Sequence, residues 1–250
     1  MVDKALFVDM GGAKSAMRSL RVIANNLANT NTVGFRADFE TAKPHKSHAN
    51  DKLQTRVYAA SMDGWSDMRQ GPITDTGRDL DVAIRGKGFI AVQTKEGQEA
   101  YTRAGNLEIG ANGVLMTARG DIVRGVQGLI NIPPSSRITI SESGVVTVQP
   151  MGQGSLDLAN VGQIKIVDIP AANLKKGVDG LYYPKDGINP APSSDVTLVS
   201  GALEGSNVDP VQALTSLIDM SRQFEIHTRL MKSVEDNSGK VNQLLADSEA

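Results

Sequence analysis

Residues that break helices are confined to the middle of this chain. All ten prolines lie between Pro44 and Pro210, and 21 of the 25 glycines lie between Gly64 and Gly205. The first 33 residues hold only Gly11 and Gly12, and beyond Pro210 only Gly239 remains. Helix interiors exclude both residue types, whereas turn-rich β structure collects them. The distribution therefore predicts a helix, a long β-rich middle and a second helix. The expected fold class is α+β, with long N- and C-terminal helices paired as a coiled coil and a mainly-β domain inserted between them.

Periodicity supports both helices. Leu6, Met10, Ala13, Met17, Leu20, Ala24 and Leu27 advance in alternating steps of four and three, which is a heptad seam. Gly11 and Gly12 within it predict a kink or the close approach of another helix. Downstream, Asp209 suits an N-cap, Pro210 the first helical position, and Gln212 a capping-box-like spacing. Leu214, Leu217, Phe224, Met231, Val241 and Leu245 carry an apolar stripe onward, and Glu225–Arg229 and Asp236–Lys240 are i,i+4 pairs in the favourable acidic-first order. A helix from Pro210 to the end would run about 40 residues, or about 60 Å, which is long for a compact domain. One such stripe cannot bury itself, and two on one chain most simply pair with each other.

The middle alternates short apolar runs with glycine-containing links: Leu80–Ile84, Phe89–Val92, Gly113–Met116, Ile138–Ile140, Val145–Val148 and Gln163–Val167. The expected divisions are a helix over 1–35, an extended or irregular connector over 36–75, a β-rich domain over 76–200 and a helix over 201–250. The connector is polar and weakly periodic, so it is expected to order only against a partner.

Composition removes several kinds of chemistry. With 26 basic against 28 acidic residues the net charge is −2, unlike the basic excess of phosphate-tracking surfaces, so no nucleic-acid partner is expected. The absence of cysteine removes disulfides, thiolate nucleophiles and cysteine-based zinc sites. Three histidines, His45, His48 and His227, do not build a metal cage, and His45 and His48 read as solvated. The N-terminus lacks the basic region and apolar core of a signal peptide, and no run of about 18 apolar residues is present. Gly86-Lys-Gly-Phe89 lacks both the third glycine of a dinucleotide loop and the Lys-Ser/Thr of a P-loop, leaving a tight turn as its reading. Asp79 and Asp81 flank Leu80 without a histidine or metal pattern beside them. The expectation is no catalysis, no cofactor, no metal and no small-molecule substrate.

Three segments carry a resemblance. Ala24-Asn-Asn-Leu-Ala-Asn29 with Thr32-Val-Gly-Phe35 resembles the N-terminal signature of the bacterial flagellar axial proteins (rod, hook and hook-associated). Thr76–Phe89, containing Leu80, Asp81, Gly86, Gly88 and Phe89, and Ala100–Gly105, containing Tyr101 and Arg103, are similar to the middle signature of the rod and hook members. Gly201–Val208, with Glu204, Ser206, Asn207 and Val208, is similar to their C-terminal junction. Length sets the chain apart from the longer hook proteins but not from the distal rod protein, whereas Gly34-Phe-Arg-Ala37 and Val57-Tyr-Ala-Ala-Ser-Met-Asp-Gly64 resemble a proximal rod member more than the distal one.

The resemblance implies a structural subunit of the basal-body rod crossing the periplasm, which transmits torque. It implies export through the flagellar type III apparatus without a cleaved signal peptide, and partners that are copies of itself, other proximal rod proteins and the distal rod protein. The helix seams, Leu6, Met10, Met17, Leu20 and Leu27 with the α-helical stripe after Pro210, would be subunit interfaces that fold on assembly. Asn25, Asn26, Asn29 and Asn31 read as a helix-stop signal ending near Gly34; the sharper reading has some of these amides bridge subunits. Phe35 reads as an anchor for the turn, and Tyr101–Arg103 as packing in the β domain. Two readings of other classes remain: a β-domain enzyme, and a β-domain binding module dimerised by its helices.

Overall fold

A computed structural model describes residues 2–46, 57–61, 64–150 and 158–248; His48 lies outside them. Two helices, α1 (Val2–Ala28) and α2 (Pro210–Ser248), flank a middle built of short strands, an α+β arrangement. The chain divides into two compact units. The first comprises Met1–Ala28, Ala37–Asp67 and Val208–Ala250, and the second comprises Asn29–Arg36 and Met68–Asn207.

In the first unit α1 and α2 lie against each other, the most extensive contact between any two described elements. α2 begins where the cap residues stand: the Asp209 carboxylate accepts hydrogen bonds from the backbone N–H groups of Val211 (2.9 Å) and Gln212 (3.1 Å). The Glu225–Arg229 pair forms at 3.7 Å but is solvent-exposed, so it adds little. The buried line of α1 follows only every second position of the heptad seam. Ala13 and Ala16 are buried and Leu20 and Leu27 half-buried, whereas Leu6, Met10 and Met17 are exposed. Of the apolar stripe on α2, Leu217, Phe224 and Met231 are half-buried and Leu214 is exposed. Val241 and Leu245 lie on α2 beyond the residues whose side chains are described.

The reason for this selection is steric. A Cβ on Gly12 would stand only 2.4–2.9 Å from the imidazole of His227, so the helices meet over the smallest residues and turn the methionines aside. Gly11 meets nothing within 4 Å. Two small ribbons complete the unit: Asp38–Phe39 pairs with Trp65–Ser66, and Ala42–Lys46 pairs with Val57–Ser61. Both ribbons fall in the segment expected to be an extended connector.

The second unit is an all-antiparallel β structure. Its largest sheet runs, in spatial order, 174–176, 182–184, 99–102, 89–93, 122–125, 115–117 and 107–109, with 166–167 also paired to 89–93 and 128–129 to 122–125. A three-stranded sheet, 135–140, 145–150 and 159–163, shares one apolar core with it through Ile90, Val92, Leu115, Val123, Ile140, Val146 and Val148. The opposite face of strand 89–93 is buried as well, under Phe89, Ala91, Tyr101, Val167 and Tyr182. Burial on both faces explains the unbroken apolar run Phe89-Ile-Ala-Val92. The apolar run Gln163–Val167 is not one strand: pairing with 145–150 ends at Gln163 and pairing with 89–93 begins at Ile166. Two further pairs, 82–85 with 197–200 and 73–75 with 202–204, bring the C-terminal junction back to the start of the unit.

Candidate functional site

The signature residues of the second unit converge on one buried ion cluster. Glu204, at the end of the strand Ala202–Glu204, is fully buried, and Arg36 and Arg103 are 1% and 3% exposed. The Arg36 Nη2 donates to Glu204 Oε1, while Arg103 Nη1 donates to Oε1 at 3.2 Å and to Oε2 at 3.1 Å. The Gly71 N–H donates to Oε1 at 3.0 Å. These partners stand 168 and 101 residues from Glu204 for the two arginines.

The remaining donors of Arg103 are taken by backbone. Its Nε donates to the Gly88 carbonyl at 2.9 Å and its Nη2 to the Gly86 carbonyl, and the guanidinium lies 5.6 Å from the Phe89 ring centre. Phe89 in turn packs on Tyr182, ring centres 5.2 Å apart. The turn Gly86–Gly88 is thus not a ligand loop; its carbonyls hold an arginine. Burial pulls the Arg103 guanidinium below its ordinary range, opposed by Glu204 and reinforced by Arg36. Two guanidinium groups face one carboxylate, and Arg36 Nε and Nη1 are buried without a hydrogen-bond partner among the described residues.

The chain from Gly34 to Arg36 is locked onto this cluster. Gly34 adopts φ +69°, and a Cβ there would stand 2.4 Å from the Arg103 carbonyl carbon, so both conformation and space require glycine. Its N–H donates to the Glu204 carbonyl at 2.8 Å. Lys176 Nζ stands 4.1 Å from the Phe35 ring centre and donates to the Arg36 carbonyl at 3.0 Å, which gives Phe35 its anchoring role. The Asn207 N–H donates to the Phe35 carbonyl (3.4 Å) and its side-chain amide to the Arg69 carbonyl (2.9 Å), with Ser206 buried beside it.

Other signature residues serve the frame. Asp81 is buried, accepts from Thr76 Oγ1 at 2.8 Å and lies 3.4 Å from Arg78, while its backbone carbonyl accepts from Gly201 N–H at 2.8 Å. Asp79 is exposed and takes no part in this. Leu80 packs against the main core. Tyr101 is fully buried, and its hydroxyl donates to Glu99 Oε1 at 2.9 Å. That carboxylate also accepts from Lys165 at 2.7 Å and lies 3.6 Å from Arg124. Burial and the Glu99 carboxylate push the Tyr101 hydroxyl well above the ordinary phenol range.

The asparagines divide the work differently from a shared helix-stop role. α1 ends at Ala28, and no non-glycine residue among those described has a positive φ, so the left-handed position falls to Gly34 alone. Asn26 is buried, and its amide both donates to the Asp38 carbonyl (2.8 Å) and accepts from the Asp38 N–H (2.9 Å) within the first unit. Asn29 accepts from Thr32 Oγ1 at 3.0 Å in the turn. Asn25 is exposed, Leu27 half-buried, and Val208 half-buried ahead of α2.

Sequence reasoning missed Arg36 and Gly71 as parts of the cluster. Arg36 carries a signal only in hindsight of its partners: an arginine after an anchoring Phe35 reads as surface until a buried carboxylate is known. Among the described residues no group of three or more His, Asp or Glu side chains is arranged to hold a metal, and no helix is long and apolar enough to cross a membrane.

Comparison with known proteins matches three stretches to described families. Residues 6–36 match "Flagella basal body rod protein", 83–148 match "Flagellar hook protein FlgE/F/G D1 domain", and 199–244 match "Flagellar basal body rod FlgEFG protein C-terminal". The flagellar basal-body rod protein FlgF of Salmonella typhimurium is 35% identical over 253 aligned residues, covering 99% of this chain and 100% of that protein. FlgF of Escherichia coli K12 shows the same identity and coverage. The rod protein FlgG of Agrobacterium fabrum is 31% identical over 267 aligned residues, 97% of this chain and 99% of that protein. The buried Arg36–Arg103–Glu204 knot is built from all three matched regions or their immediate edges, and the chain belongs to the family of bacterial flagellar rod and hook proteins, most like its FlgF members.

Proposed function

We propose that this chain is a structural, non-catalytic subunit of the proximal rod of the flagellar basal body. The observation that carries this reading is the full-length similarity to FlgF, joined to helices whose large apolar side chains are left outside the subunit. Leu6, Met10 and Met17 on α1 and Leu214 on α2 are 40–56% exposed, an arrangement suited to neighbouring subunits rather than to solvent. In this reading α1 and α2 pair as a coiled coil and stack with other subunits as the inner wall of a tube. The terminal segments 1–35 and 201–250 form that wall, 76–200 faces outward and 36–75 links them. Heterologous contacts then add subunits without closing a ring, and torque passes through the helix seams.

The same reading makes copies of itself, other proximal rod proteins and the distal rod protein its partners. It places the protein in the rod across the periplasm, exported by the type III apparatus without signal cleavage. A distal-rod role is the second reading, favoured by the 31% identity to FlgG of Agrobacterium fabrum. Electron microscopy of basal bodies from cells lacking the protein separates the two. Rods arrested at the inner-membrane ring support the proximal role, rods of partial length support the distal one, and normal rods overturn both.

A further inference from the structure

The strand Ser135–Ile140 lies at the edge of the three-stranded sheet. It pairs with 145–150 on one side and with no described strand on the other. Its register fixes which backbone groups are already used. The hairpin closes with the Ser141 N–H donating to the Val145 carbonyl at 2.9 Å, and bonded pairs then recur at every second residue. Thr139 and Arg137 therefore exchange bonds with Thr147 and Gln149, while the N–H and C=O groups of Ile138 and Ile140 point away from the sheet. Among the described residues no backbone bond from another element reaches them.

An open edge is a template for another chain unless it is short, charged or covered. In the large sheet the outer strands 107–109 and 174–176 span three residues each and carry Glu108 and Lys175-Lys176. The strand 159–163 is met by the Val126 N–H, which donates to the Gln163 carbonyl at 2.8 Å. Beside 135–140 lies instead a cleft of about 290 Å³, lined by Ser135, Arg137 and Ile138 of the strand and by Arg78, Asp79 and Leu80.

The side chains define what fits. Ile140 is buried, and Ile138 and Leu80 pack against the main core, whereas Arg137 and Thr139 are exposed. A strand laid along this edge alternates in step, with apolar side chains toward Leu80 and the two isoleucines and polar ones beside Arg137 and Thr139. Arg78 already donates to the Leu107 carbonyl at 2.7 Å and lies 3.4 Å from Asp81. Arg137 takes part in no ion pair among the described residues, so it is the cation left for an incoming carboxylate. Asp79, also exposed, repels an acid placed on its own side of the cleft.

We propose that the edge 137–140 takes an extended segment of another protein as an added strand, its apolar side chains alternating with acidic ones and an acid standing beside Arg137. Main-chain bonds to Ile138 and Ile140 supply affinity, and Arg137 supplies the preference for acid. The site lies wholly within the second unit, so it stands apart from the rod-subunit reading and is tested without assembly.

The probe is fluorescein-labelled Thr-Val-Glu-Val-Glu-Val-Thr, titrated with full-length protein and followed by anisotropy. Thr-Val-Lys-Val-Lys-Val-Thr and Thr-Val-Glu-Pro-Glu-Val-Thr serve as comparisons. The acidic peptide should bind saturably, the lysine peptide about fivefold more weakly, and the proline peptide not at all. Arg137→Glu should invert the order of the acidic and lysine peptides, with an unchanged thermal melt showing that the fold is intact. Amide exchange followed by NMR locates the contact: the Ile138 and Ile140 N–H groups should slow when the acidic peptide is added. Absence of saturable binding overturns the proposal, as does equal binding of the proline peptide or binding that leaves exchange at Ile138 and Ile140 unchanged. Slowing of these two amides with rising protein concentration and no peptide also overturns it, because a second copy then holds the edge.

Discussion

Glu204 is the residue on which the second unit depends most heavily. Replacing it by Gln keeps its shape but leaves Arg36 and Arg103 buried without a counter-charge, and the expected loss is about 3–5 kcal/mol, seen as a large fall in thermal midpoint. Arg36→Met should cost less, about 1–2 kcal/mol, because it removes two unpartnered donors and leaves Arg103 paired one-to-one with Glu204. A larger loss in Arg36→Met than in Glu204→Gln would show that the excess positive charge is compensated in some other way. Tyr101 adds a pH dependence with a definite sign. Its proton is held more tightly in the folded state than in the unfolded one. Below the ordinary phenol range both states keep the proton and stability is unaffected. Above about pH 10 the unfolded state releases it, and stability falls by up to about 1.4 kcal/mol per pH unit for this group. Alkaline unfolding of Tyr101→Phe should therefore be shallower than that of the parent, even though the lost hydrogen bond to Glu99 lowers stability at neutral pH.

Among the elements, the helix pair supplies a matched comparison. Gly11 and Gly12 are adjacent in α1, and both should weaken a helix equally relative to alanine. Gly11→Ala meets open space and should stabilise by about 0.5–1 kcal/mol. Gly12→Ala drives a methyl group into the His227 ring and should lose that gain or reverse it. Helix content followed by circular dichroism on heating distinguishes the two. The capped end of α2 is independent of this contact, and Asp209→Ala should cost about 1 kcal/mol through the Val211 and Gln212 N–H groups it releases. That cap was legible in advance because Asp-Pro with a polar residue at the next turn is a local pattern. The burial of only every second seam position was not. Periodicity marks where apolar side chains recur, but Ala13 and Ala16 could be chosen over Met10 and Met17 only by the partner helix and its close approach. The strand Glu99–Thr102 escaped notice for a related reason: its glutamate is held by Tyr101 on the same strand and by Lys165 and Arg124, which arrive from distant parts of the chain.

For the whole molecule, the rod-subunit reading predicts different protease sensitivity before and after assembly. In the monomer, protease should trim about 30 N-terminal and about 40 C-terminal residues and leave the β-rich unit, whereas assembled subunits should keep both helices. Full resistance of both ends in a monodisperse monomer would count against folding on assembly. The division into two helices and a β-rich middle was carried by the sequence alone, because glycine, proline and helix caps act on the few residues around them. The family, too, was readable from short ordered signatures. The tertiary structure alone decided what those signatures do. Gly34, the Gly86–Gly88 turn, Arg103 and Glu204 are far apart along the chain, and nothing local says that a glutamate will lose its water to two arginines. The burial of a charge is a property of everything packed around it, and so are the close contact of His227 with Gly12 and the open edge of the strand Ser135–Ile140.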